Sequence, residues 1–158
     1  MTSKVYVAMR VKATPERAFA AFVEEIGVWW RPSIMFQTMP RPVRLSFEAP
    51  GPDGAGGRLI ETRAGDKVFE IGKIRVWEPP SRLVFSWRQA NFPPDLLTEV
   101  EVGFEAVGEE TRVSIEHRGF DQMPKESAAR HRFPDEVLLM RLADFWRSQI
   151  AAVGDELA

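Results

Sequence analysis

The C-terminal stretch from Asp135 to Leu157 carries Leu138, Leu139, Leu142, Phe145, Trp146, Ile150, Val153 and Leu157. At about 100° per residue these side chains share one broad face of a helix. Arg141, Asp144, Arg147, Ser148 and Asp155 fall on the opposite face. Ahead of this helix the chain reads as a run of strands with only one other clear helix. A lone, wide apolar helix has no helical neighbour to bury it, so a curved sheet must do so. A sheet wrapped round a helix leaves room for a cavity between them. That geometry points to binding more than to chemistry.

The upstream elements follow from periodicity and turn chemistry. Val5, Val7, Met9 and Val11 alternate with polar or small residues and predict a half-buried strand. Thr14 offers an N-cap, Pro15 the first helical position and Glu16 an acidic first turn. The helix that follows presents Phe19, Phe22, Val23 and Ile26 on one side, and Gly27 loosens or ends it. Trp29, Trp30 and Arg31 come next, stopped by Pro32. Strands are expected around Val43 to Phe47, from Arg58 to Arg63, from Val68 to Glu78 with a bulge near Gly72, and around Leu83 to Trp87. Two more follow around Val100 to Phe104 and Val113 to His117. A Pro-bearing loop at Asn91 to Asp95, a short helix over Lys125 to His131 and Asp135 as cap of the last helix complete the reading. Short turns between strands call for antiparallel pairing, hence an α+β protein with one domain over residues 1–158.

Composition narrows the function classes. The net charge of -2, with no block of like charge, does not favour nucleic acid or an anionic membrane as a partner. No stretch approaches the roughly 20 apolar residues of a membrane span, and the first ten residues lack a signal-peptide core, so a cytoplasmic location is expected. The absence of cysteine removes disulfides, thiol nucleophiles and thiolate metal sites. Two histidines without HxxxH or HExxH spacing make no metal site, and no cofactor is expected. Gly54, Gly56 and Gly57 precede a strand without a GKS/T sequence, which suits a hairpin turn and not a phosphate loop. No GxSxG elbow is present. Glu99, Glu101 and Glu105 alternate on what reads as the solvated side of a strand.

Several local signatures run through this order. Thr14-Pro15-Glu16-Arg17-Ala18-Phe19 opens the first helix, and Trp29-Trp30 follows it. Gly56-Gly57-Arg58 opens a strand, and Gly72-Lys73-Ile74 leads to Trp77-Glu78-Pro79-Pro80-Ser81-Arg82-Leu83-Val84-Phe85-Ser86-Trp87. Thr111-Arg112-Val113 leads to His117-Arg118-Gly119-Phe120, and Trp146, Ile150, Val153 and Leu157 have the spacing of a closing helix. Together they resemble the activator-of-heat-shock-protein-ATPase-like family, within the START-like (SRPBCC) superfamily of helix-grip folds. The chain departs from the family pattern at Phe145, where glycine is usual, and in a longer stretch from Asp121 to Phe145. The resemblance implies a curved antiparallel sheet around a long C-terminal helix, with a cavity for apolar or aromatic small molecules beneath that helix. It also implies that some relatives act on heat-shock chaperones, some serve in antibiotic self-resistance and a few in the wider superfamily are enzymes.

Candidate site residues follow. Phe47, Phe85, Trp87, Phe104, Leu142, Phe145 and Trp146 are expected as apolar walls of such a cavity, with Trp30 near its mouth. Gln149 falls inside the apolar stripe of the last helix, so its amide needs a partner, either a ligand carbonyl or hydroxyl or a backbone group of the sheet. His117 ends an inward-facing series; it either pins the loop at Gly119 by a hydrogen bond, the simpler reading, or serves as a general base. Glu61 shares strand parity with Leu59 and so points inward if that parity holds. Arg31 reads either as a surface arginine or as a carboxylate holder. The leading expectation is a non-enzymatic binder of an apolar or aromatic small molecule. The alternatives are a chaperone-interaction module and a small hydrolase or cyclase using His117 with Glu61 or Arg31. Homodimerisation through an edge strand or Trp77 stays open.

Overall fold

The computed structural model describes residues 4–31, 44–54, 56–88, 97–120 and 134–158, without the side chain of Asp135. The expected Asn91 to Asp95 loop, the Lys125 to His131 helix, His131, Val43 and Pro32 lie outside the described residues.

The first strand, β1 (Lys4–Val11), buries Val5, Val7 and Val11, while Met9 reaches the surface. In α1 (Pro15–Glu24) the Thr14 hydroxyl accepts the Arg17 amide at 3.2 Å, which satisfies one of the orphan donors of the first turn. The break after α1 falls at Glu25 and not at Gly27, which belongs to a short second helix, α2 (Ile26–Trp29). Gly27 is there for space: a Cβ at that position would sit 3.2 Å from the Leu45 carbonyl oxygen. Six further strands follow: β2 (Arg44–Glu48), β3 (Arg58–Arg63), β4 (Lys67–Glu78), β5 (Arg82–Trp87), β6 (Thr98–Val107) and β7 (Glu110–Arg118). The last helix, α3 (Asp135–Leu157), spans the predicted range. Pro134, however, is its cap and Asp135 its first helical residue.

All seven strands form one curved antiparallel sheet in the order β1-β7-β6-β5-β4-β3-β2. This is the helix-grip architecture: α3 lies chiefly along β1, with contacts to α1 and α2, on the face that holds the core. Register builds that inner face in rows. One row runs Ile74, Phe85, Val100, His117, Val5; the next runs Trp77, Leu83, Val102, Ile115, Val7. On the other half, Leu45, Glu61 and Phe69 share a row, beside Phe47 and Leu59.

The strand β4 carries two bulges, with Ile71 and Arg75 as the extra residues. The first was expected near Gly72. A Cβ on Gly72 would lie 1.5 Å from the Ser86 carbonyl oxygen, so only glycine permits the crossing strands to approach there. On the outer face Arg118 binds Glu99, Glu101 and Glu116, while Arg82 pairs with Glu101 and Arg75 with Glu99. These glutamates therefore occupy the solvated side, as their alternation predicts. No helix among the described residues is long and apolar enough to cross a membrane.

Candidate functional site

The inner face carries a continuous chain of aromatic rings. Trp30 leaves α2 and its ring meets Trp87 at 5.8 Å, Phe145 at 5.6 Å and Trp146 at 6.1 Å. Trp87 and Trp146 meet at 5.7 Å, and Phe85 links Trp87 to Phe47. The two adjacent tryptophans divide their roles. Trp29 is buried against Phe22 and its indole N–H donates to the Ala21 carbonyl at 3.0 Å. Trp30 remains partly exposed among the other rings. Phe104 stands apart: it packs on Phe19 and Phe22 beneath α1. Leu142 is fully buried in the core.

His117 sits at the centre of a buried relay between the sheet and α3. The Trp146 indole N–H donates to His117 Nδ1 at 3.1 Å. His117 Nε2 lies 2.8 Å from Thr98 Oγ1, whose own hydroxyl donates to the Trp87 carbonyl at 2.9 Å. An indole can only donate, so Nδ1 must accept, and the proton therefore belongs on Nε2, facing Thr98. A second proton would point Nδ1–H at an indole N–H. Burial, with a smaller contribution from the nearby Arg118 charge, lowers the His117 pKa from 6.5 to about 3. The ring is neutral throughout the physiological range and joins β7 to α3 and β6. The histidine thus holds β7 to its neighbours through Trp146 and Thr98, and its ring also packs edge-on against Phe120, next to Gly119, at 4.6 Å.

The sign of the resulting pH dependence is definite. Between the folded value and 6.5 the unfolded chain binds a proton that the folded chain refuses, so this contribution is complete above 6.5 and is lost as the pH falls towards about 3. The slope approaches about 1.4 kcal/mol per pH unit within that window. Urea titrations at pH 7 and pH 5 are expected to differ by roughly 2 kcal/mol more in the parent than in His117→Gln. Equal differences in the two proteins would mean that His117 is not held neutral.

Gln149 is engaged by the chain that leaves α2. Its amide N–H donates to the Arg31 carbonyl at 2.7 Å and its carbonyl accepts the Arg31 N–H at 3.0 Å. This two-way clasp fixes Trp30 against the last helix, and the Arg31 guanidinium adds an ion pair with Asp155. The amide thus finds a backbone partner, in the segment after α2 and not in the sheet. Gln149→Leu is expected to cost about 1–2 kcal/mol, since two backbone groups lose their partner next to water. Faster hydrogen exchange at the Arg31 amide is the specific signature.

Glu61 does point inward. It is buried on β3 and accepts from Arg63 Nε at 2.7 Å. The Arg63 guanidinium also stands 4.7 Å from the Phe69 ring centre. Arg63 escaped the sequence reading although it shares the parity of Leu59 and Glu61; a basic residue two places on was the available signal. Thr98, the other omission, could not be found without knowing that β5 and β6 place it opposite Trp87. Each group named for hydrolysis has a described partner of its own. His117 engages Thr98 and Trp146, Glu61 engages Arg63 and Arg31 engages Asp155. Among the described residues no group of three side chains is placed to hold a metal ion.

The family model described as Activator of Hsp90 ATPase homolog 1-like protein matches residues 12–144. None of the curated proteins matches the sequence. Solved structures share the fold at low identity. Protein MLL2253 from Mesorhizobium loti is 16% identical with a TM-score of 0.62, over 98% of this chain and 96% of its own. CalU16 from Micromonospora echinospora is 18% identical with a TM-score of 0.60, over 99% of this chain and 74% of its own. PFC0360w, an HSP90 activator from Plasmodium falciparum, is 16% identical with a TM-score of 0.58, over 91% of this chain and 87% of its own. With the family model matched from the end of β1 into α3, the chain belongs to the Activator of Hsp90 ATPase homolog 1-like family.

Proposed function

We propose that this protein binds a small aromatic or apolar molecule bearing a polar group, held on the inner face of the sheet beside the last helix. The observation that carries this reading is the Glu61–Arg63 pair: Glu61 stands in a row with Leu45 and Phe69 on the core face of the sheet, and Arg63 follows it at the same parity, opposite Lys67. A charge pair in such a wall is a poor device for stability, because desolvation offsets most of its attraction. It is a good device for orienting a polar ligand group while the aromatic side chains hold the rest. Trp30 and Phe47, both partly exposed, would be the apolar contacts, with Phe85, Trp87, Phe145 and Trp146 buried behind them as the wall that holds those rings. Phe104 and Leu142 serve the core. His117 and Gln149 support the wall through the partners given above. Burying about 200 Å² of ligand at roughly 25 cal/mol/Å² contributes about 5 kcal/mol before ordering costs, so micromolar affinity needs the polar contact.

Native mass spectrometry of freshly purified protein, followed by thermal-shift titration of flat aromatic acids, amines and neutral analogues, tests this. A stabilising aromatic compound whose effect disappears in Arg63→Met/Glu61→Leu is expected. A panel without a hit, together with no co-purified molecule, would count against it. A chaperone partner is the second reading, favoured by the family description and by the fold shared with an HSP90 activator. It requires a measurable rise in Hsp90 ATPase rate on addition of the protein.

A further inference from the structure

A separate groove runs along the outward edge of α1. Glu16, Ala20, Val23 and Glu24, at i, i+4, i+7 and i+8, form one stripe of the helix and face Trp77 and Pro80 across a depression of about 440 Å³. A second depression of about 300 Å³ continues from it between α2 and β2, with Val23, Glu24 and Trp77 common to both. Trp77 is half-buried, and Phe19 meets its ring edge-on at 5.3 Å. The larger depression has only two charged side chains on its wall, both carboxylates, one at either end of the stripe. Both are exposed, and Glu24 also acts on Arg17 as a nearby charge. Arg17, the nearest cation along the helix, is engaged by Glu25 at 2.6 Å. Arg44 borders only the smaller depression, at the β2 end.

An apolar trough with a tryptophan side and carboxylate ends attracts positive charge carried on a greasy body. The ring quadrupole and the carboxylates act in the same direction there. We propose that the α1–Trp77 groove is a second ligand site, separate from the aromatic wall beside α3, and that it takes an organic cation. The ligand class is a protonated or quaternary amine on an aromatic or alkyl frame.

Protonated 2-phenylethylamine and neutral 2-phenylethanol have nearly the same size and differ in charge, so titrating each while following amide and indole NMR signals tests the assignment. The amine is expected to bind about ten-fold more tightly at low salt, with shifts at the Trp77 indole N–H and the Ala20 and Val23 amides. High salt should shrink that advantage, and Glu16→Gln/Glu24→Gln should abolish it. Both glutamates are exposed, so the double variant keeps its fold; Trp77→Leu provides an independent loss of amine binding. Equal affinity for the two probes, or an advantage unchanged in the glutamine variant, overturns the proposal. So does a set of shifts centred on Trp146 and His117, which would place the amine against the aromatic wall beside α3.

Discussion

Trp146→Ala is expected to lower the free energy of unfolding by about 4 kcal/mol. The ring is fully buried and touches Trp30, Trp87, His117 and Phe145 at once. Truncation removes its transfer free energy and leaves a cavity that rigid aromatic neighbours cannot fill. It also deprives His117 Nδ1 of the indole N–H that donates to it at 3.1 Å. Trp146→Phe separates the two effects. It keeps most of the apolar volume, loses the hydrogen bond and is expected to cost about 1–2 kcal/mol. Urea unfolding of the three proteins measures both steps. A loss below about 1 kcal/mol in the alanine variant would show that α3 is not held by this ring.

The second large effect concerns the charged pair on β3. Arg63→Met leaves the Glu61 carboxylate, whose side chain is only 6% exposed, without its 2.7 Å partner. Breaking a buried pair from one side is far more costly than removing both members. A loss of roughly 3 kcal/mol is expected, at the low end for such pairs because Arg63 keeps some contact with water. Arg63→Met/Glu61→Leu should recover most of that loss, within about 1 kcal/mol of the parent. Stability and binding then part company. The double variant stays folded, yet it lacks the polar anchor assigned to the ligand. Thermal unfolding and ligand titration on the same two variants check both halves. If Arg63→Met alone were as stable as the parent, the carboxylate would have another partner and the anchor assignment would fail.

The elements were legible because each rests on a local pattern. The apolar stripe of α3 was visible as a 3.6-residue period, and its observed range matches the reading. Thr14 and Pro15 marked the start of α1 by capping chemistry alone. The misplacements have non-local causes. Gly27 did not end the helix, because its lack of a side chain serves the approach of the Leu45 carbonyl from a distant strand. Asp135 gave up the cap to Pro134. Gln149 could be identified as an amide in need of a partner, but Arg31, 118 residues earlier, could not be named as that partner.

From the sequence by itself came the order of the elements, the faces they bury and the need for a sheet around the last helix. Those properties follow from side-chain periodicity and backbone turn preferences, which act over a few residues. Only the tertiary structure decided which buried polar groups meet, His117 with Trp146 and Thr98 and Gln149 with Arg31, and which exposed ones share a groove, as Glu16 and Glu24 do with Trp77. Such encounters depend on strand register and helix docking, which sum over the whole core, and no short stretch of chain encodes them.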